Sequence, residues 1–186
     1  MHFKKIIHKI YSHLRRVYRL SINFNKHQDL VWKDLKELQT KSNWNFGIFE
    51  KDRTVETRFE IAPETGSTFY YMLYNNNFHC RVKIIEDFPL EQTTEVFILA
   101  SHFNNLLTHG VVVVNVDSQY VEYHSKCNIL IPLLFPDELD NQLVRHYNTS
   151  KDIFWAFQKL VLENEIPALI IADLLKKNDE EKKSKN

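Results

Sequence analysis

The segment THGVVVVNVDSQYVEYHSKCNILI, residues 108–131, gathers His109, Asp117, His124 and Cys127 around four consecutive valines. Such side chains ligate zinc or form a thiolate–imidazolium pair, so their spacing decides between a chemical site and a plain β-hairpin. Apolar and polar residues alternate on both sides of a polar turn at Ser118-Gln119, which predicts the hairpin and pairs Val116 with Val121 and Val114 with Tyr123. In that register Val112, Val114, Val116, Val121, Tyr123, Ser125, Cys127, Ile129 and Ile131 share one face. Asn115, Asp117, Tyr120, Glu122 and His124 take the other. His124 and Cys127 then point in opposite directions, and without a bulge they cannot share a metal. The expectation is a structural, buried Cys127 and an exposed His124.

Other chemistry is limited by the same kind of counting. Gly47, Gly66 and Gly110 are the only glycines, too few and too scattered for a P-loop, a GxGxxG fingerprint or a GxSxG nucleophile elbow. None of the nine histidines begins HExxH. His102 and His109 fall two turns apart on one predicted helix, about 10 Å along its axis, too far to hold one metal. The acid pairs Glu86-Asp87 and Asp137-Glu138 sit at element ends, where a solvated turn or a first-turn helix charge accounts for them. Cys80 and Cys127 have no CxxC spacing and read as reduced thiols of a cytoplasmic protein, in which the NTS triplet at 148–150 would carry no glycan. No catalytic, metal or cofactor-binding residue is assigned, and the chain is not expected to be an enzyme.

The elements that position these residues follow from periodicity. Phe3, Ile6, Ile7, Ile10, Tyr11, Leu14, Val17 and Tyr18 recur at helical spacing, with Lys4, Lys5, Lys9, Arg15, Arg16 and Arg19 on the opposite side. Residues 1–22 are thus a basic amphipathic helix, too interrupted for a secretory signal and poor in serine for a transit peptide. Residues 1–28 hold seven Lys or Arg and no acid, whereas residues 29–175 hold 12 basic and 21 acidic groups, net −9. A second helix is expected over about 29–40, then strands over 44–49, 54–61, 68–74 and 78–85. A helix over 91–108 closed by His109-Gly110, the hairpin, a helix from Pro136 broken at NTSKD (148–152) and a last helix from Pro167 complete the order. Residues 177–186 have nothing to bury and read as a disordered, charged tail.

The stretch FHCRVKIIEDFPLEQTTEVFILASHFNNLLTHGVVVVNVDSQYVEYHSKCNI, residues 78–129, resembles the YbjN-like family, whose members share the type III secretion chaperone-like fold. The matching features are a strand ending in an acidic-Pro junction, a helix ending in Asn-Leu-Leu-x-x-Gly, a hairpin with a polar turn, and a strand leading to the PDELDNQLV helix. The resemblance spans about residues 28–175. Ser118-Gln119 departs from the Asp-Gly usual in the family's hairpins, and the basic leader is not a family feature. The resemblance implies an α+β fold in the order α-β-β-β-(β)-α-β-β-α, with an antiparallel sheet covered by helices on one side. It further implies a protein-binding role, regulatory or chaperone-like, often as a dimer, and it carries over no active-site residue. A homodimer would use whichever face of TFYYMLY, residues 68–74, is left uncovered.

For the leader two readings stand. Its apolar stripe packs on the domain or on a twin, with the cations facing solvent or the acidic body, or the helix lies on an anionic membrane surface through Lys4, Lys5, Lys9, Arg15, Arg16 and Arg19. The second makes the chain a peripheral membrane protein; an uncharacterised hydrolase ranks third. Nucleic acid is disfavoured as a partner because the body is net −9.

Overall fold

Strands whose side chains alternate in burial form the centre of the molecule. In this computed structural model, which describes residues 2–23 and 26–184, β1 (Phe46–Phe49), β2 (Thr54–Ala62), β3 (Thr65–Tyr74), β4 (Asn77–Ile85), β5 (Val111–Asn115) and β6 (Tyr120–Asn128) build one antiparallel sheet. The spatial order is β1-β2-β3-β4-β6-β5. One face carries Val55, Ile61, Phe69, Tyr71, Leu73, Phe78, Cys80, Val82, Val112, Val121 and Tyr123, all buried. The other carries Arg58, Tyr70, Met72, Arg81, Lys83, His124 and Lys126, in varying degrees open to solvent.

Helices cover the apolar face. They are α1 (His2–Ser21), α2 (His27–Lys41), α3 (Thr93–Leu106), α4 (Leu130–Leu134), α5 (Asp137–Glu163) and α6 (Pro167–Ser184), with α1 packed on α4 rather than on the sheet itself. α5 crosses β2, β4 and β6 and buries Leu139, Leu143, Ile153 and Phe157 there, while α2 contributes Val31 and Leu35. This is the expected α+β architecture, a sheet with helices on one side. Nothing is described of the side chains of residues 2–6, 8 and 9 in α1 or of 178, 181, 182 and 184 in α6.

Several expectations need correction. The hairpin pairs Val114 with Val121 and Val112 with Tyr123, two residues from the predicted register, around a loop over 116–119. Asn115 Oδ1 accepts the Ser118 N–H at 2.8 Å, Gln119 adopts φ 49°, and its side chain donates to the Phe88 carbonyl at 2.9 Å. These anchors favour the longer loop. A shift of two leaves the side chains that remain in β5 and β6 on their predicted faces, while Val116 and Asp117 move into the loop.

β6 ends at Asn128, whose Oδ1 accepts the Leu130 N–H at 2.9 Å and opens α4, so Ile129 is buried but Ile131 is 40% exposed rather than on a strand face. α5 runs unbroken through the expected break. Ser150 donates its Oγ proton to the His146 carbonyl at 2.6 Å within the helix instead of capping a new one. α6 continues through the expected tail to Ser184, as its Lys- and Glu-rich sequence, strong in helix formers, permits; Lys185 and Asn186 lie outside the described residues. His109 falls beyond the end of α3, and its carbonyl accepts the Tyr123 hydroxyl at 2.8 Å.

Candidate functional site

Cys127 and His124 occupy opposite faces of β6, as the alternation requires. Cys127 pairs with Phe78 on the core side, and burial pushes its thiol up to about 11. Burial raises the Cys80 thiol still further. Neither is a ready thiolate. His124 Nε2 lies 2.8 Å from Glu122 Oε2 on the outer face, where Arg81 grips the same carboxylate through Nε at 2.9 Å and Nη2 at 2.6 Å. Burial pushes the Glu122 carboxyl up, but the hydrogen bonds and charges of Arg81 and His124 outweigh it and hold the group below its ordinary value. The cluster is a saturated ion pair: both carboxylate oxygens are engaged.

Sequence reasoning passed over His146. It lies on the inner stripe of α5 with Leu139, Leu143, Ser150 and Ile153, a helical spacing that could have placed it in the core. Its ring stacks on Tyr123 at 4.7 Å and 14°, and Nδ1 sits 2.9 Å from Ser125 Oγ. Burial lowers the imidazole to about 3, so it is neutral and a weak base toward Ser125. A Ser–His pair enclosed in this way is a core contact. Among the described residues no group of three or more His, Cys, Asp or Glu is placed to hold a metal ion.

The two edges of the sheet differ. β5 is closed by α3: Asn104 Nδ2 donates to the Val112 carbonyl at 3.0 Å, and its Oδ1 accepts the Val112 N–H at 2.7 Å. One carboxamide thus occupies the donor and acceptor that Val112 would offer a further strand. β1 pairs only with β2, and its outer edge meets no further strand or side-chain hydrogen bond among the described residues. Ile48 and Phe49 on it are 40% and 50% exposed. Beside β1 an apolar hollow of about 140 Å³ opens between Trp44, Phe59, Tyr71, Leu143, Val144 and Tyr147. Trp44 meets Phe59 edge-on at 4.8 Å, and the Tyr147 hydroxyl is tied to the Glu60 carbonyl at 2.7 Å. Pockets for drug-sized ligands run to about 300–1,000 Å³. This one suits a bulky apolar side chain.

The leader docks the other way round from the packing expected of an amphipathic helix. Arg19 is buried, with Nη1 2.6 Å from Asp34 Oδ2, Nη2 2.9 Å from Oδ1, and Nη1 also donating to the Leu133 carbonyl at 3.0 Å. Arg15 reaches Asp34 Oδ1 at 3.3 Å, and Arg16 donates to the Leu134 carbonyl at 3.2 Å while lying 4.4 Å over the Phe135 ring. Three of the six candidate cations are therefore spent on the body. The side chains of the other three, Lys4, Lys5 and Lys9, lie outside the described residues. Of the apolar stripe, Ile7, Ile10, Tyr11, Leu14, Val17 and Tyr18 face outward, and the side chains of Phe3 and Ile6 lie outside the described residues. As for TFYYMLY, Phe69, Tyr71 and Leu73 lie under the helices, leaving Tyr70, Met72 and Tyr74 on the outer face.

No protein-family model matches the chain, and no curated protein does. Solved structures similar to it include that of YbjN from E. coli, at 7% identity and a TM-score of 0.49, covering 66% of this chain and 87% of YbjN. Another is the Yersinia pestis type III secretion chaperone SycH in complex with a stable fragment of YscM2, at 10% identity and a TM-score of 0.38, covering 61% of this chain and 98% of SycH. Both are likenesses of fold alone.

Proposed function

We propose that the chain is a protein-binding module, regulatory or chaperone-like rather than catalytic, which takes an extended apolar segment of its partner along β1. The observation that carries this reading is the contrast between the edges: α3 packs against β5 and its Asn104 engages Val112, while β1 stays open beside the aromatic hollow. An added strand would satisfy the free backbone groups of β1, and alternate side chains would read the hollow. The enclosed Cys80 and His146 and the partly buried Cys127 support a binding role over the hydrolase alternative, because burial suppresses their nucleophile and base chemistry.

A phage-displayed library of random peptides selected on the full chain should return segments with alternating bulky apolar residues. Val144 is 49% exposed, so Val144→Glu spares the core. It should weaken those peptides at least about tenfold, the loss of a buried apolar anchor, and Ile48→Pro should do the same by blocking the edge. Selected peptides that bind both variants as well as the parent chain would place binding elsewhere and refute the reading.

A further inference from the structure

β1 carries a glycine within its open edge, and nothing in the backbone requires one there. Gly47 does not adopt the left-handed region, and a side chain in its place would meet only ordinary contacts, the Phe49 ring at 3.6 Å and Glu56 Cβ at 4.0 Å. Glycine inside a strand weakens it and marks a place where a ligand or another backbone comes close. The register aligns Gly47 with Glu56 of β2. Both face away from the helices, because Val55 and Thr57 on either side of Glu56 are buried beneath them. Glu56 is half-buried, and no hydrogen bond or ion pair among the described residues engages its carboxylate. Arg58, two residues along the same face, turns instead to Gly66, whose carbonyl accepts from Nη2 at 3.4 Å. The Glu56 carboxylate is therefore open toward the edge of the sheet, across a residue with no side chain.

We infer, resting on the strand addition proposed above, that the segment taken by β1 carries a lysine or arginine opposite Gly47, laid over the glycine and along the Phe49 ring to pair with Glu56. Neighbouring strands lie about 4.8 Å apart, so an added strand stands about 10 Å from β2, within the combined reach of an extended Lys or Arg and a glutamate. Residues in register across strands share a face. The cation therefore emerges on the face of Gly47 and Glu56, whereas its two neighbours in the segment emerge on the face of Phe46, Ile48 and the aromatic hollow. The basic residue and the bulky apolar anchor are thus an odd number of positions apart. Phe49, half exposed beside Gly47, offers its ring to the passing cation. A carboxylate in the same place would meet Glu56 as a like charge, and an apolar side chain would cover the carboxylate without pairing it.

Peptides selected from the random library on the full chain, labelled with fluorescein and titrated by anisotropy, test this. Lys or Arg should be enriched at odd separations from the apolar anchor. Glu56→Lys, on the open face of the sheet, should weaken these peptides at least about tenfold while the circular dichroism spectrum is unchanged. Replacing the peptide's basic residue by Glu should restore binding to that variant and lower it for the parent chain, an exchange of charge that a purely structural role for Glu56 would not produce. Raising salt to about 0.5 M, where the Debye length falls to only a few Å, should weaken binding to the parent chain and leave that to Glu56→Gln little changed. Gly47→Val should remove the preference for a basic residue and keep the apolar one. Peptides that need Ile48 and Val144 but show no basic enrichment, or that bind Glu56→Lys as tightly as the parent chain, would overturn the inference and leave strand addition standing. Peptides indifferent to Ile48→Pro and Val144→Glu would bring down both.

Discussion

At the scale of single residues, the polar groups that look chemical are mostly made inert by where they sit. His146 is the clearest case, and its burial has a measurable consequence. Its imidazole stands at about 3 in the fold, against about 6.5 for a free histidine in the unfolded chain. Below pH 6.5 the unfolded state therefore binds a proton that the folded state refuses. Its contribution is intact above pH 6.5 and declines as the pH falls toward 3, by at most about 1.4 kcal/mol per pH unit. His79, also lowered by burial, acts in the same direction. In urea titrations the parent chain should lose about 1 kcal/mol more than His146→Asn between pH 7 and 5.5. Equal losses in the two proteins would mean that His146 is protonated in the fold. Glu122 enters in the other sense of charge: its lowered carboxyl favours the folded state above its unfolded value, and that support is lost only at lower pH. The alternation of β6 made the opposed faces of His124 and Cys127 legible in the sequence. The long-range pairs around them were not legible, since Arg81 and Glu122 lie 41 residues apart and Ser125 and His146 lie 21 apart.

At the scale of elements, period and turn chemistry carried the sheet, and the misreadings lie where a side chain chose between two local roles. Asn128 ends β6 rather than extending it, its Oδ1 accepting the N–H of Leu130 where α4 begins; Ser150 could have capped a helix but bonds back into one. Asn115 turned a two-residue loop into a longer one. Each choice is set by packing around the residue, which a local window does not contain. Asn104 makes the same point for the edge of the sheet. Nothing near it in the sequence marks a lock on Val112, yet its removal should matter twice. Asn104→Ala leaves the buried N–H and C=O of Val112 unpaired, which should lower stability by about 1–2 kcal/mol in denaturant unfolding. It also bares an edge strand of consecutive valines, so the variant should self-associate at concentrations where the parent chain does not. An unchanged unfolding midpoint with no added association would show that α3 does not guard this edge.

At the scale of the whole molecule, the separation of charge along the chain is what orients the leader. An acid-free, seven-cation stretch preceding a body of net −9 predicts attraction between the two, but the counts alone do not say which cations meet which acids. The fold resolves this with a few groups. Asp34, on α2, receives Arg19 and Arg15, while α4 offers the Leu133 and Leu134 carbonyls at its C-terminal end, where the helix dipole favours cations. Arg19 is the central member: its side chain is 8% exposed and that of Asp34 is 12%, so water screens the pair little. Arg19→Ala leaves Asp34 with Arg15 alone and should loosen α1 by roughly 1–3 kcal/mol. Because the helix touches the rest of the chain mainly through α4 and Asp34, that loss should be local. Hydrogen exchange should quicken at least about fivefold in the α1 amides while those of β3 and β4 keep the parent rates, as for a unit that opens separately from the core. Asp34→Ala should act in the same direction, and the double variant should cost less than the sum of the two, the signature of a direct pair. If α1 exchanges as slowly in Arg19→Ala as in the parent chain, the arginines do not hold it, and some other contact fixes the outward direction of the apolar stripe.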